Sequence, residues 1–337
     1  MIPAPPGSAL GISARFAAAS VIVLLGAAAI VAVASAGGPV ADPGPVSAKH
    51  WRTLERSPLK RTEVAAARIG RFIYVVGGFL EPGGETTDKV ARYDIRRDRW
   101  RLVAPMPLAV NHAAATTWDG RLYVQGGFAS ATGLEGATAR LFEYEPSADR
   151  WTELAAATVP RAAHALQAID GKLYAAGGAN SQTEQLNSLE IYDIQSGAWS
   201  SGASMPTGRN HVASAVVDNC MYVLGGRPPL NLNVVEHYDP ATDSWKSVAP
   251  MDVPRSGFAA VVVGRRIVVF GGEGPAGTIA PVEVYDADAD VWGDLPGMRT
   301  PRHGLGGASR GNRVFALEGG PEPGFAFSRL AEFLDVP

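Results

Sequence analysis

Residues 210–248 read NHVASAVVDNCMYVLGGRPPLNLNVVEHYDPATDSWKSV. His211–Val217 is apolar and small, and Asp218-Asn219 turns the chain. Met221–Leu224 runs into Gly225-Gly226. A variable loop leads to Val234–Tyr238, Asp239-Pro240 turns again, and Ser244–Val248 carries Trp245. Short runs rich in Val and Tyr, punctuated by Gly, Asp and Pro, predict four β-strands.

The stretch is one of six. Gly-Gly pairs begin at Gly77, Gly126, Gly177, Gly225, Gly271 and Gly319, at intervals of 49, 51, 48, 46 and 48 residues. Trp51, Trp100, Trp151, Trp199, Trp245 and Trp292 follow at 49, 51, 48, 46 and 47. Two independent markers with one period mean a repeat architecture. Tyr-Asp ends the predicted third strand in four units (Tyr93-Asp94, Tyr192-Asp193, Tyr238-Asp239, Tyr285-Asp286), and Tyr144-Glu145 takes its place in another. The tryptophans are expected to bury against the neighbouring sheet. Truncating one would cost about 3–5 kcal/mol. No segment after residue 50 keeps a 3.6-residue apolar period, so helix is expected to be nearly absent there.

These residues resemble the kelch repeat: x-Tyr-Val-x-Gly-Gly, then Glu-x-Tyr-Asp, then Trp, then Pro-Met-Pro. The resemblance covers residues 50–335 and implies an all-β, six-bladed propeller with four-stranded blades. Trp51 precedes the first Gly-Gly pair, and Leu330–Leu334 has no fourth strand after it. Setting His50–Leu54 beside Leu330–Leu334 would close the ring and protect two open sheet edges.

The first 49 residues differ in kind. Phe16–Ala36 is uncharged and ends in Ala34-Ser35-Ala36, a small-x-small pattern that suits signal peptidase. At 1.5 Å per residue the stretch would also reach about 30 Å as a helix, enough for a membrane anchor. Residues 1–36 are therefore expected to be a signal or anchor, 37–49 a Pro/Gly linker, and 50–337 an extracytoplasmic domain. With 30 basic and 33 acidic side chains, no whole-chain field points to nucleic acid. One cysteine, Cys220, allows no internal disulfide.

Alternating strand directions put the strand-two-to-strand-three loops on one face, here the Gly-Gly face. They are Phe79–Lys89, Phe128–Ala139, Ala179–Ser188, Arg227–Asn233, Glu273–Ala280 and Pro321–Ser328. Unequal loops on a regular scaffold are where recognition usually resides. Sixteen residues before the Gly-Gly pairs stand Arg61, Arg161, Arg209 and Arg255. One residue of slack gives Arg302, and the second unit has Val110 with Asn111 beside it. The arginines would either form a basic funnel for an anion or pack and pair between blades as a kelch feature. His112, His164, His211 and His303 follow them. Their different blades and offsets argue against a metal site, and no cofactor is expected.

Three families with this fold frame the function. Galactose oxidase-type propellers use copper with a cysteine-linked tyrosine, and Cys220 starts a second strand on the opposite face. Exported N-acetylneuraminate epimerase is similar to this chain in fold and signal. That resemblance implies an acid or base such as Glu184, Glu273 or a channel histidine. Animal kelch adaptors bind peptides but carry a BTB domain, which this sequence lacks. The leading expectation is an exported module binding a protein segment or glycan on the Gly-Gly face. The alternative is a sialic-acid mutarotase-like isomerase.

Overall fold

The computed structural model describes residues 50–337 apart from Pro82 and Pro228; the apolar segment and the linker, residues 1–49, lie outside the described residues. The described residues contain no helix. They form antiparallel four-stranded sheets arranged as in a propeller, with smaller two- and three-stranded sheets in the loops. The unit that opened the sequence reading holds Ala213–Val217, Cys220–Leu224, Val235–Asp239 and Ser244–Val248, paired in that order. Its first strand begins two residues later than the sequence suggests. His211 takes φ of 52°, which diverts the chain before the strand starts.

The sheet built from Gly306–Arg310, Arg313–Leu317 and Ala331–Asp335 takes its outer strand from Arg52–Thr53, with Arg52 opposite Phe333. The innermost strands of successive sheets touch in a cycle, and Gly306–Arg310 returns to Ala65–Ile69. These inner strands pack closely against one another, which favours small side chains. A Cβ on Gly307 would come within 2.6 Å of the Ala259 Cβ.

Burial falls from the second strands outward. Ile267, Val268, Val269 and Phe270 have no accessible surface, and Met221, Val223 and Leu224 none either. The core lies between sheets: Ala213, Leu224 and Val235 of one pack with Ile267, Val269 and Tyr285 of the next. Outer strands alternate exposed and half-buried positions.

The tryptophans are less buried than expected. Trp51 is buried, but Trp100, Trp151, Trp199, Trp245 and Trp292 are half-buried. Each of these five lies against the tyrosine of the adjacent strand, as Trp245 does on Tyr238 with ring centres 5.0 Å apart. The polar edge of the indole explains the difference. Its Nε1–H donates to a carbonyl just past the preceding sheet, Trp245 to Ala203 at 2.8 Å and Trp292 to Ala249 at 2.8 Å. These residues clip sheet to sheet rather than fill a core.

Candidate functional site

The five arginines are inside the protein. Arg61, Arg161, Arg209, Arg255 and Arg302 have no exposed surface. Each guanidinium meets a glutamate: Arg61 with Glu318 at 2.8 Å, Arg161 with Glu190 at 2.8 Å, Arg302 with Glu332 at 2.6 Å, Arg209 with Glu236 and Arg255 with Glu283. The 16-residue spacing has a physical reason. Arg61 and Arg161 each donate to the carbonyl of the first glycine of their own Gly-Gly pair, at 2.9 Å. Meanwhile the Arg161 carbonyl accepts the N–H of Gly127 in the preceding unit at 2.9 Å. A side chain on Gly126 would strike that carbonyl at 2.3 Å, and its φ is 68°. The arginines thus join neighbouring sheets, and as placed they offer no guanidinium to a ligand.

Two units depart from the rule. In the first, Ala91 occupies the position that Glu236 holds in the fourth, and Glu318 from the sixth unit serves Arg61 instead. Glu318 is the additional residue that shifts Arg302 out of register. In the second, Val110 replaces the arginine and Phe142 the glutamate, and both are buried in one apolar cluster.

Two residues past each arginine position the chain enters the left-handed region. Glu63, His112, Ala163 and His211 have φ of 53°, 53°, 53° and 52°, and Gly257 and Gly304 have 61° and 56°. Their backbones link into a ring. His112 N–H donates to Glu63, Ala163 to His112, His211 to Ala163, Gly257 to His211 and Gly304 to Gly257; the Val64 N–H then donates to Gly304. The bonds run from 2.8 to 3.2 Å.

On this ring, three side chains that carry charge or a proton meet. The Glu63 carboxylate lies 3.1 Å from His112 Nε2 and 3.0 Å from His303 Nδ1. The rings of His112 and His211 are 4.9 Å apart. Arg227 stands 3.1 Å from His211 Nε2 and 2.7 Å from Glu273, whose other oxygen lies 3.9 Å from His303. Burial alone would raise the Glu63 carboxyl, but His112 and His303 outweigh it and hold it well below the usual range. Burial would lower His303, yet Glu63 raises it on balance. His211 is pushed well down by burial, then by His112 and Arg227.

Of the four histidines, three gather in this network, so their unequal offsets do not keep them apart. His164 lies beneath it, 5% exposed, with neither ring nitrogen hydrogen-bonded. Burial and Arg161 keep its pKa well below the ordinary value. Asn111 orients His112: its Oδ1 lies 2.7 Å from His112 Nδ1 while its amide donates to Thr86. Glu273 joins the network. Glu184 is exposed, and its backbone carbonyl accepts from Asn210. Cys220 lies at the start of a second strand, half-buried.

The sequence reading missed Glu63 and Arg227. The offset that places His112 and His211 two residues past the arginine position also selects Glu63. Arg227 directly follows Gly225-Gly226 and bridges to Asn210.

Around the network stands an aromatic rim. Phe79 and Phe128 approach the His112 ring at 5.9 and 5.8 Å, and Phe325 meets Phe79 at 5.1 Å. Leu134, Leu230 and Phe325, on three loops of this face, are 51%, 72% and 61% exposed.

Residues 63–272 match the KLHDC2/KLHL20/DRC7 Kelch-repeats domain, and residues 254–299 match the Kelch motif. Over 194 residues, 52% of this chain, it is 30% identical to Kelch-like protein terF of Aspergillus terreus. Over 193 residues, again 52%, it is 31% identical to Kelch-like protein 15 of Danio rerio. These matches span 42% and 32% of the relatives' own lengths. The solved structure of YjhT aligns with a TM-score of 0.71 at 17% identity, over 82% of this chain and 95% of YjhT. That likeness is one of fold. The repeated Gly-Gly, Tyr-Asp and Trp positions, the sheets they build and the match over residues 63–272 place this chain in the kelch-repeat family.

Proposed function

We propose that the chain is an exported, six-bladed kelch propeller that binds a protein segment on its Gly-Gly face. The observation that carries this reading is the exposure of Leu134, Leu230 and Phe325 on three loops of that one face. Exposed apolar side chains beside a polar cluster suit a partner that buries an apolar anchor and bonds through polar groups. The kelch matches support a protein-interaction role. Export rests on the uncharged Phe16–Ala36 stretch, which would either be cleaved or anchor the domain.

A glycan fits the same face less well, because three large aliphatic or aromatic tips contribute little to a hydroxyl-rich ligand. The test is a display-peptide selection on the purified chain, with hits measured by calorimetry. Binding should weaken at least tenfold in Leu230→Asp and in Phe325→Asp, both surface changes. Hits that ignore both variants would overturn the site.

One feature favours a second reading, a sialic-acid mutarotase-like isomerase. Arg227 is a partly exposed arginine of the mouth, 33% accessible; it touches His211 and Glu273, and Glu273 in turn approaches His303, which is paired with Glu63. It would hold a sugar carboxylate while a carboxylate–imidazole pair moves the proton. NMR of anomer exchange decides it: acceleration with sialic acid that disappears in Arg227→Ala supports the isomerase, and no acceleration removes it.

A further inference from the structure

We propose that Glu63, His112 and His211 form a site for one first-row divalent transition metal ion at the channel mouth. This goes beyond the binding reading above. The three ligand atoms all lie within 4.8 Å of one another. Zinc takes nitrogen and oxygen donors at about 2.0–2.2 Å, so its ligands stand about 3.3 Å apart. The three side chains need close by no more than about an ångström or so at their tips.

The tautomers suit the role. His112 follows Asn111, and His211 follows Asn210. In both pairs the asparagine amide donates elsewhere, Asn111 to Thr86 and Asn210 to Glu184, which turns Oδ1 toward the imidazole Nδ1. Each histidine therefore donates Nδ1–H to its own neighbour and presents Nε2 to the mouth. A ring N–H tied to an oxygen while the other nitrogen faces inward is how proteins orient metal-ligating histidines. Two imidazoles and one carboxylate with room for further ligands suit zinc or ferrous iron.

A second observation comes from His164. This imidazole is 5% exposed, neither nitrogen has a partner, and it lines the same cavity of about 80 Å³ as Glu63, His112 and His211. A buried imidazole left without hydrogen bonds calls for an explanation. An ion or its bound water in this cavity would supply one.

Two groups oppose the ion: His303, whose Nδ1 lies 3.0 Å from the same Glu63 carboxylate, and Arg227. Arg227 donates toward His211 Nε2, the lone pair that the metal needs. It also holds Glu273 at 2.7 Å, so it can leave His211 and stay paired. Arg227 is thus a gate, and removing it should tighten the site.

The experiment uses the purified full chain, stripped with chelator and titrated with ZnCl2 by calorimetry and with CoCl2 by visible absorption. We expect one equivalent per chain and a cobalt ligand-field band. The His112→Asn, His211→Asn double variant should lose both, since asparagine accepts the left-handed backbone at these positions. Asn210→Ala should weaken affinity about tenfold. Arg227→Ala keeps every ligand and should bind more tightly, which tests the site even if the histidine variants do not fold. Absence of stoichiometric binding overturns the proposal. So does a cobalt band that is unchanged in the double variant, or weaker binding in Arg227→Ala.

Discussion

In the fourth unit the junction between sheets contains Arg209 and Glu236, both fully buried and bonded to each other. In the second unit the same positions are Val110 and Phe142, equally buried and packed in one apolar cluster. Either solution fills the junction, but the two residues of a pair differ together. Desolvating a charge costs several kcal/mol, and only a well-placed opposite charge offsets it. The first unit makes the same point by another route: Ala91 offers no carboxylate, and Glu318 reaches Arg61 from the sixth unit. An arginine in this position is a statement about its glutamate, not about a ligand.

The largest expected effect is that of breaking one pair. Glu236→Ala leaves Arg209 charged, buried and short of its partner, and should cost about 3–5 kcal/mol in denaturant unfolding. A loss below about 1 kcal/mol would mean that the backbone carbonyls of Thr207 and Val223, which Arg209 also reaches, satisfy it alone. Next comes the exchange of one solution for the other. Arg209→Val with Glu236→Phe copies the second unit into the fourth. It should recover most of the loss, because no charge is left buried. If the double variant is as unstable as Glu236→Ala, the two junctions are not interchangeable and local packing decides. Arg209→Val alone completes the double-mutant cycle and gives the coupling directly.

This contrast also shows which parts of the molecule a sequence displays. The Gly-Gly pairs and tryptophans recur because each unit must solve the same local problem, so period alone exposes the repeated sheets. Glu236 lies in the same repeat, at the first position of Glu-x-Tyr-Asp, yet its role stayed hidden. Reading it needs the pairing of strands, which puts Val223 opposite Glu236 and both beside Arg209. Counting arginines without their carboxylates leaves both a basic funnel and pairing between blades open. The mouth was harder still. Glu63, His112 and His211 come from three units and meet only because the ring of backbone bonds turns each inward. At the equivalent positions Ala163, Gly257 and Gly304 carry no chemistry. The site breaks the repeat, and a repeat search is blind to what is not repeated.

A smaller asymmetry offers the finest test of how units are joined. In four units an aspartate five residues past the strand-three tyrosine accepts its hydroxyl: Tyr93 with Asp98, Tyr144 with Asp149, Tyr238 with Asp243 and Tyr285 with Asp290. The same carboxylates accept a backbone N–H from the preceding linker, from Glu55, Ala104, Ala203 and Ala249. All four aspartates have positive φ, from 46° to 54°. The third unit has Gly197 there, with φ of 69° and room beside the Tyr192 hydroxyl. Gly197→Asp should therefore complete the clip and raise Tm by about 1–2 °C at pH 7. Its acid dependence follows from the existing clips. Donation from the tyrosine hydroxyl, then from a backbone N–H, holds Asp149 and Asp290 below the usual carboxylate range. A carboxyl depressed in the folded state stabilises above its unfolded pKa of about 3.9, and that stabilisation disappears as pH falls through the folded value. Melting curves of the variant and the parent should differ at pH 7 and converge below pH ~3. A gain that survived in acid would come from the lost freedom of glycine in the unfolded chain, not from a completed clip.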